Sequence, residues 1–154
     1  MIRVVLAVAV GAALLAAAVP AVETVRVSHA DARVAGALDR VEAAARTLAE
    51  RNDAVRGPGG ARRVLTLHLP RGTWGTAGLE HFAVRSHPLG NRTVVRWRVD
   101  GGETTERRLD AVAIEPTGDG FTRREGGLLR VRLVLLDRGE KRVVRLGPDG
   151  TGAT

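Results

Sequence analysis

The spacing of the hydrophobic positions changes twice along the chain, and each spacing predicts a different element. Residues 4–22 form an uncharged run of 19 residues, about the length of a membrane-crossing helix. Apolar residues then recur with a heptad period as far as about residue 53, which predicts an amphipathic helix. Beyond residue 60 the period is two, which predicts β-strands with one buried face.

The uncharged run allows two interpretations. We expect one helix from about Ile2 to Arg51 whose first part, residues 1–22, is a transmembrane segment. The protein is then a single-pass protein of the cell membrane, with a cytoplasmic N-terminus beside Arg3 and an exterior C-terminal domain. The alternative is a signal peptide of 18 to 21 residues, whose removal makes the rest of the chain a secreted protein.

The amphipathic helix is predicted over residues 23–56. Six basic and six acidic residues in this segment balance one another and leave a narrow apolar stripe. Two uses of this stripe compete, since it can pack on the chain's own sheet or on neighbouring helices. The heptad a and d positions form the predicted packing seam: Val27, Ala30, Val34, Ala37, Val41, Ala44 and Leu48.

A β-rich domain is predicted over residues 57–147, followed by a flexible tail at 148–154. The fold class is therefore α+β, a long helix with a membrane half and an amphipathic half, followed by an antiparallel sheet or small sandwich of about six or seven strands. In the hairpin around Gly101, the favoured register sets Arg96 opposite Glu106, because the alternative opposes two arginines. The strands are expected near 64–69, 79–85, 93–99, 104–109, 111–115, 129–135 and 141–146.

This order of parts resembles type IV pilins and pseudopilins, which have an N-terminal apolar helix with a proline near position twenty, as at Pro20 here, and a β-rich head. The resemblance implies that the amphipathic half of the helix packs on the head and that the chain assembles with pilus-type or secretion-machinery proteins. The composition, rich in Arg, Val and Ala and with Lys141 as its single lysine, is also similar in style to small uncharacterised haloarchaeal membrane-anchored proteins found with such machinery.

The chain is strongly basic, with a formal net charge of +7. A nucleic-acid partner is not expected, because the chain has only two Phe and two Trp for base stacking and no Tyr. Four strand arginines alternate with apolar residues and form a predicted face for an anionic lipid, a glycan or an acidic partner. The competing interpretation is an ordinary solvated strand surface. These arginines are Arg96, Arg98, Arg130 and Arg132.

No catalytic residues, metal site or cofactor are expected. The chain has no cysteine, and its four histidines lack a recognisable metal-ligand spacing. Four acidic residues, Asp110, Glu115, Asp119 and Glu125, have no sequence relation that brings them together as a catalytic pair. We therefore expect no enzyme. Asn91 begins a glycosylation sequon that an exterior location allows to be used.

Together these patterns predict a membrane-anchored, exterior-facing structural or interaction protein, a minor pilin-like or secretion-accessory subunit. The partners expected are the membrane and pilus-type or secretion-machinery proteins. The alternative is a secreted β-domain that binds an anionic ligand or surface after removal of the signal peptide. A third hypothesis is an enzyme whose site residues are dispersed along the sequence.

Overall fold

The computed structural model describes residues 2–51, 61–87, 92–138 and 141–150, with side chains described at all of these except 2, 15 and 17–20. One helix precedes eight strands in this part of the chain. The elements are α1 (Ile2–Arg51), β1 (Arg62–Leu69), β2 (Leu79–Ser86), β3 (Thr93–Val99), β4 (Thr105–Leu109), β5 (Ile114–Pro116), β6 (Phe121–Arg123), β7 (Gly127–Asp137) and β8 (Arg142–Pro148).

Among the described residues, no helix has the length and apolar character needed to cross a membrane. The predicted transmembrane segment is therefore wrong, and so are the membrane half of the fold class and the single-pass localisation that depended on it. The composition gives the physical reason. Eight of the 19 residues in the run are Ala and only three are Leu, and Ala contributes little to insertion.

The strands form two four-stranded sheets. The first sheet has the order β1-β7-β8-β5 and the second sheet the order β4-β3-β2-β6. Buried apolar residues alternate with exposed arginines over residues 95–99 of β3 and 129–133 of β7, as expected for strands with one face toward a core. The pairing of β3 with β4 sets Arg96 opposite Glu106, which confirms the predicted register.

Two features of the sheets differ from the prediction. The strand β5 pairs in parallel with β8, so the first sheet is not purely antiparallel. The strand β6, which the pattern did not predict, pairs with β2 at the edge of the second sheet. Each of these strands has only three residues, too few for an alternation of two to be visible in the sequence.

One hydrophobic core joins the helix to both sheets. Its buried side chains include Val34 and Val41 of α1, Leu133 of the first sheet, and Val95 and Trp97 of the second. Since the sheets alone would expose these inner faces, the helix is an integral part of the domain. Burial of this apolar surface is the main source of stability.

The boundaries predicted for the segments can be compared with the described residues. The helix ends at Arg51, and residues 52–60 lie outside the described part of the chain. At the C-terminal end, β8 extends to Pro148, and Asp149 accepts hydrogen bonds from Arg132. Residues 151–154 of the predicted tail and the sequon residue Asn91 lie outside the described residues.

Candidate functional site

The second half of α1, residues 23–51, packs on the β-strands, and we call it the docked half. Six of the seven residues of the predicted packing seam are buried there, and the seventh, Val27, is partly buried against the same core. Leu38 and Ala45 are buried too, although they occupy neither a nor d positions. The buried stripe is therefore wider than a coiled-coil seam and has the width of a helix that covers a globular core.

A charged cluster holds the middle of the docked half against β4. The Arg107 guanidinium lies 2.6 Å from Glu42 and 2.7 Å from Asp39, and it also donates a hydrogen bond to the Ala35 carbonyl. Glu42 accepts a further hydrogen bond from the backbone N–H of Asp110 at 3.1 Å. The hydrogen bond to Asp39 raises the pKa of Arg107, against the opposing effect of desolvation and with help from Glu42. Arg107 is therefore a fixed cation that couples helix to sheet.

Polar contacts on either side of this cluster mark the extent of docking. Arg26 donates a hydrogen bond to the Thr73 carbonyl at 3.0 Å, and the Trp97 indole N–H donates to Asp31 at 2.9 Å. Near the helix end, Arg142 donates to the Ala49 carbonyl at 3.1 Å. The docked half is thus held in a defined register by hydrogen bonds as well as by apolar burial.

The N-terminal part of α1 has no such cover. Residues 4–14, which we call the exposed apolar segment, contain no charged residue. Their large side chains, Val4, Val5, Leu6, Val8, Val10 and Leu14, are each 51–68% exposed. Since successive residues of an α-helix point 100° apart, these side chains surround the helix and do not form a stripe. If Gly11 had a Cβ atom, that atom would have no heavy atom within 4 Å apart from its own helical turn, so the space beside Gly11 is open.

The four arginines of the predicted anionic-partner face are not brought together. Arg96 and Arg98 lie in the second sheet, whereas Arg130 and Arg132 lie in the first. Each has an acidic partner. Arg96 binds Glu106 at 2.6 Å, Arg98 binds Glu80 at 3.1 Å, and Arg130 and Arg132 share Asp149. Much of their charge is therefore balanced locally.

A cleft of about 620 Å³ lies between the docked half of α1 and the end of β1. Its basic lining residues are Arg33 and Arg40 from the helix, His68 from β1 and Arg71 from the following loop. Leu69, Pro70 and Leu128 supply apolar wall. Among the described residues that line the cleft, none is acidic.

Comparison with known proteins identifies a family whose function is unknown. Residues 1–149 match the model of a family described as a domain of unknown function, DUF7311. The chain belongs to the DUF7311 family. No significant match was found among curated proteins or among solved structures. The resemblance to pilins and to haloarchaeal membrane proteins thus stays a prediction from layout and composition.

In this DUF7311 chain, sequence reasoning missed the basic cleft although part of its signal was present. Arg26, Arg33 and Arg40 recur every seven residues, so they share one side of the helix. The sequence could not show that β1 and the loop at Arg71 pack next to the side of α1 that carries Arg33 and Arg40. A second missed residue is Trp74, 96% exposed between the cleft residues Thr73 and Thr76.

The remaining chemical candidates of the DUF7311 chain are dispersed. Among the described residues, no three His, Asp or Glu side chains are grouped so that they could hold a metal ion. Glu115 pairs with Arg138 at 3.0 Å, and Asp110 lies 3.9 Å from Arg92. Two of the four carboxylates considered in the sequence, Asp110 and Glu115, are therefore engaged in separate ion pairs.

Proposed function

We propose that this protein is a structural subunit that assembles with other subunits through the N-terminal part of α1, in the manner of a minor pilin-like or secretion-accessory subunit. The observation that carries the proposal is the contrast between the two parts of one helix. The docked half is covered by the protein's own sheets, whereas the exposed apolar segment projects large apolar side chains on all sides. Contiguous exposed apolar surface of this kind marks an interaction site.

The composition of the exposed apolar segment suits close packing between helices. Ala7, Ala9, Ala12 and Ala13 separate the larger Val and Leu side chains, and all four are exposed. Small residues allow two helix axes to approach closely, so that neighbouring Val and Leu side chains can interdigitate. A helix with apolar residues all round is stable in water only when it is covered. The proposed cover is the same segment of neighbouring subunits.

The docked half explains why assembly uses only one end of the helix. Its seam residues are already buried in the core, so they are not free for a second helix. The β-rich domain therefore remains a separate head on one end of the helix, and neighbouring heads need not interpenetrate. This arrangement supports the pilin-like layout over a coiled-coil dimer built along the whole helix.

The alternative, a secreted β-domain with an anionic ligand on the four strand arginines, has less support. Those arginines lie on two different sheets, and acidic residues of the same chain pair with each of them. A ligand at that surface would have to compete with existing ion pairs. No such competition is needed for helix assembly.

Because the chain contains no cysteine, single cysteines can test the assembly without a background. Ala9→Cys and Ala16→Cys lie on one side of the helix, seven residues apart, and Ala7→Cys lies on the opposite side. We expect oxidation of the purified protein to give discrete disulfide-linked dimers, with similar yields at Ala9 and Ala16 and a clearly different yield at Ala7. The yields are read from non-reducing gels and intact mass.

The matched control is Ala43→Cys, which is exposed on the docked half of the same helix. We expect little cross-linking at this position, because the β-rich heads stay apart. Equal yields at all four positions would indicate random aggregation of an apolar helix. Absence of cross-links at every position would equally overturn the assembly proposal.

A further inference from the structure

We infer that the basic cleft beside the docked half binds an organic anion, with a phosphate or carboxylate group on the arginines and an apolar body on the apolar lining at Leu128. Arg33, Arg40 and Arg71 all line this cleft. None of the three has an ion-pair or hydrogen-bond partner in the described part of the chain. Their donors are therefore available to a ligand.

The grouping of the three arginines makes this availability informative. Exposed arginines elsewhere, such as Arg46 and Arg62, also lack an acidic partner in the described part of the chain. The three cleft arginines differ because they line the same concave surface, where like charges repel one another. A bound anion would remove that repulsion. Guanidinium groups are also the preferred donors for planar bidentate recognition of carboxylate or phosphate.

A glycine leaves room for one of these donors. Gly127 begins β7 with a φ of +126°, and a Cβ at this position would lie 2.8 Å from both Nε and Nη2 of Arg71. The Arg71 guanidinium therefore lies against the backbone at Gly127, where a side chain would displace it. The imidazole of His68 lines the same cleft and can add a hydrogen bond to an anion.

The size and the remaining walls of the cleft define the rest of the ligand. A volume of about 620 Å³ is in the range of sites that take small organic molecules. Leu69, Pro70 and Leu128 all line the cleft, but the first two are largely buried, so Leu128, which is 56% exposed, offers the accessible apolar surface. An inorganic ion would leave this wall in water. A ligand with both a charged group and an apolar body would cover the wall and neutralise the arginines together.

Calorimetric titration of the full chain with four probes tests each part of this inference. Phenyl phosphate and benzoate carry the same ring with different charged groups, inorganic phosphate lacks the ring, and benzyl alcohol lacks the charge. We expect saturable binding of at least one of the two aromatic anions, with a Kd on the order of 0.1 mM. Inorganic phosphate and benzyl alcohol are expected to bind at least about tenfold more weakly. Comparison of phenyl phosphate with benzoate identifies whether the cleft prefers a phosphate or a carboxylate group.

Two double variants locate the site. Arg33→Gln with Arg40→Gln should weaken binding of the aromatic anion by about tenfold or more, because two charge-assisted contacts are lost. Arg96→Gln with Arg98→Gln removes the same charge from arginines outside the cleft, and should change the Kd less than about twofold, the change expected from net charge alone. Equal losses in the two double variants, saturation by inorganic phosphate as tight as by the aromatic anions, or no saturable heat would overturn the inference.

Discussion

Replacing Val34 with Asp is expected to release the docked half of α1 from the sheets. The Val34 side chain is fully buried in the common core, and a carboxylate there would have neither water nor a partner. We expect a loss of about 4 kcal/mol or more in the free energy of unfolding. The measurement is urea unfolding, together with trypsin cleavage after Arg40 and Arg46, both of which are exposed on the docked half.

The control is the same substitution at an exposed position of the same helix. Ala43→Asp should lower the free energy of unfolding by less than about 1 kcal/mol, mainly through helix propensity. It should leave the tryptic sites as protected as in the unmodified chain. If Val34→Asp left the tryptic sites equally protected, this would contradict the packing of the seam on the chain's own sheets. It would favour the alternative, in which the seam packs on neighbouring helices.

The second large effect is expected from Glu42→Ala, because one carboxylate serves both helix and sheet. The substitution removes the 2.6 Å contact with Arg107 and the acceptor for the Asp110 N–H. We expect the free energy of unfolding to fall by about 2–3 kcal/mol, since a partly buried charge and a backbone donor lose a partner together. Urea unfolding measures this loss.

Two further variants separate the contributions at this position. Glu42→Gln keeps an oxygen acceptor while it removes the charge, so we expect about half of the loss in Glu42→Ala. Glu50→Ala removes an exposed carboxylate from the same helix, and should change the free energy of unfolding by less than about 0.5 kcal/mol. If Glu42→Ala behaved like Glu50→Ala, the charged cluster would not contribute to docking.

Periodicity predicted the local elements well, because a local pattern determines which face of a helix or strand is apolar. The heptad positions identified Val34 and Val41 as packing residues, although the pattern could not choose their partner. It also missed Leu38 and Ala45, which are buried because a sheet is a wider surface than a second helix. The strands β5 and β6 were misjudged or missed because three residues carry no period.

The candidate sites were less accessible from sequence because they depend on which strands are neighbours. Arg96 and Arg130 follow the same alternating pattern, yet they belong to different sheets and have different acidic partners. Arg33 and Arg71 are 38 positions apart in the sequence and meet only across the contact between α1 and the end of β1. The membrane prediction is wrong for a different reason, because the run has the length of a spanning helix but a low content of Leu and no Ile.

The order of the strands has a consequence for synthesis of the protein. The partner of β1 is β7, and between them the chain forms every strand of the second sheet. The hairpins β2–β3 and β3–β4 can close locally as soon as they leave the ribosome, whereas β1 must wait about 60 residues for its partner. Until β7 and β8 have been synthesised, the core lacks the buried residues that they supply, such as Leu133 and Leu146. The nascent chain therefore completes its core only after β7 and β8 have been synthesised, and it is most open to aggregation before that point.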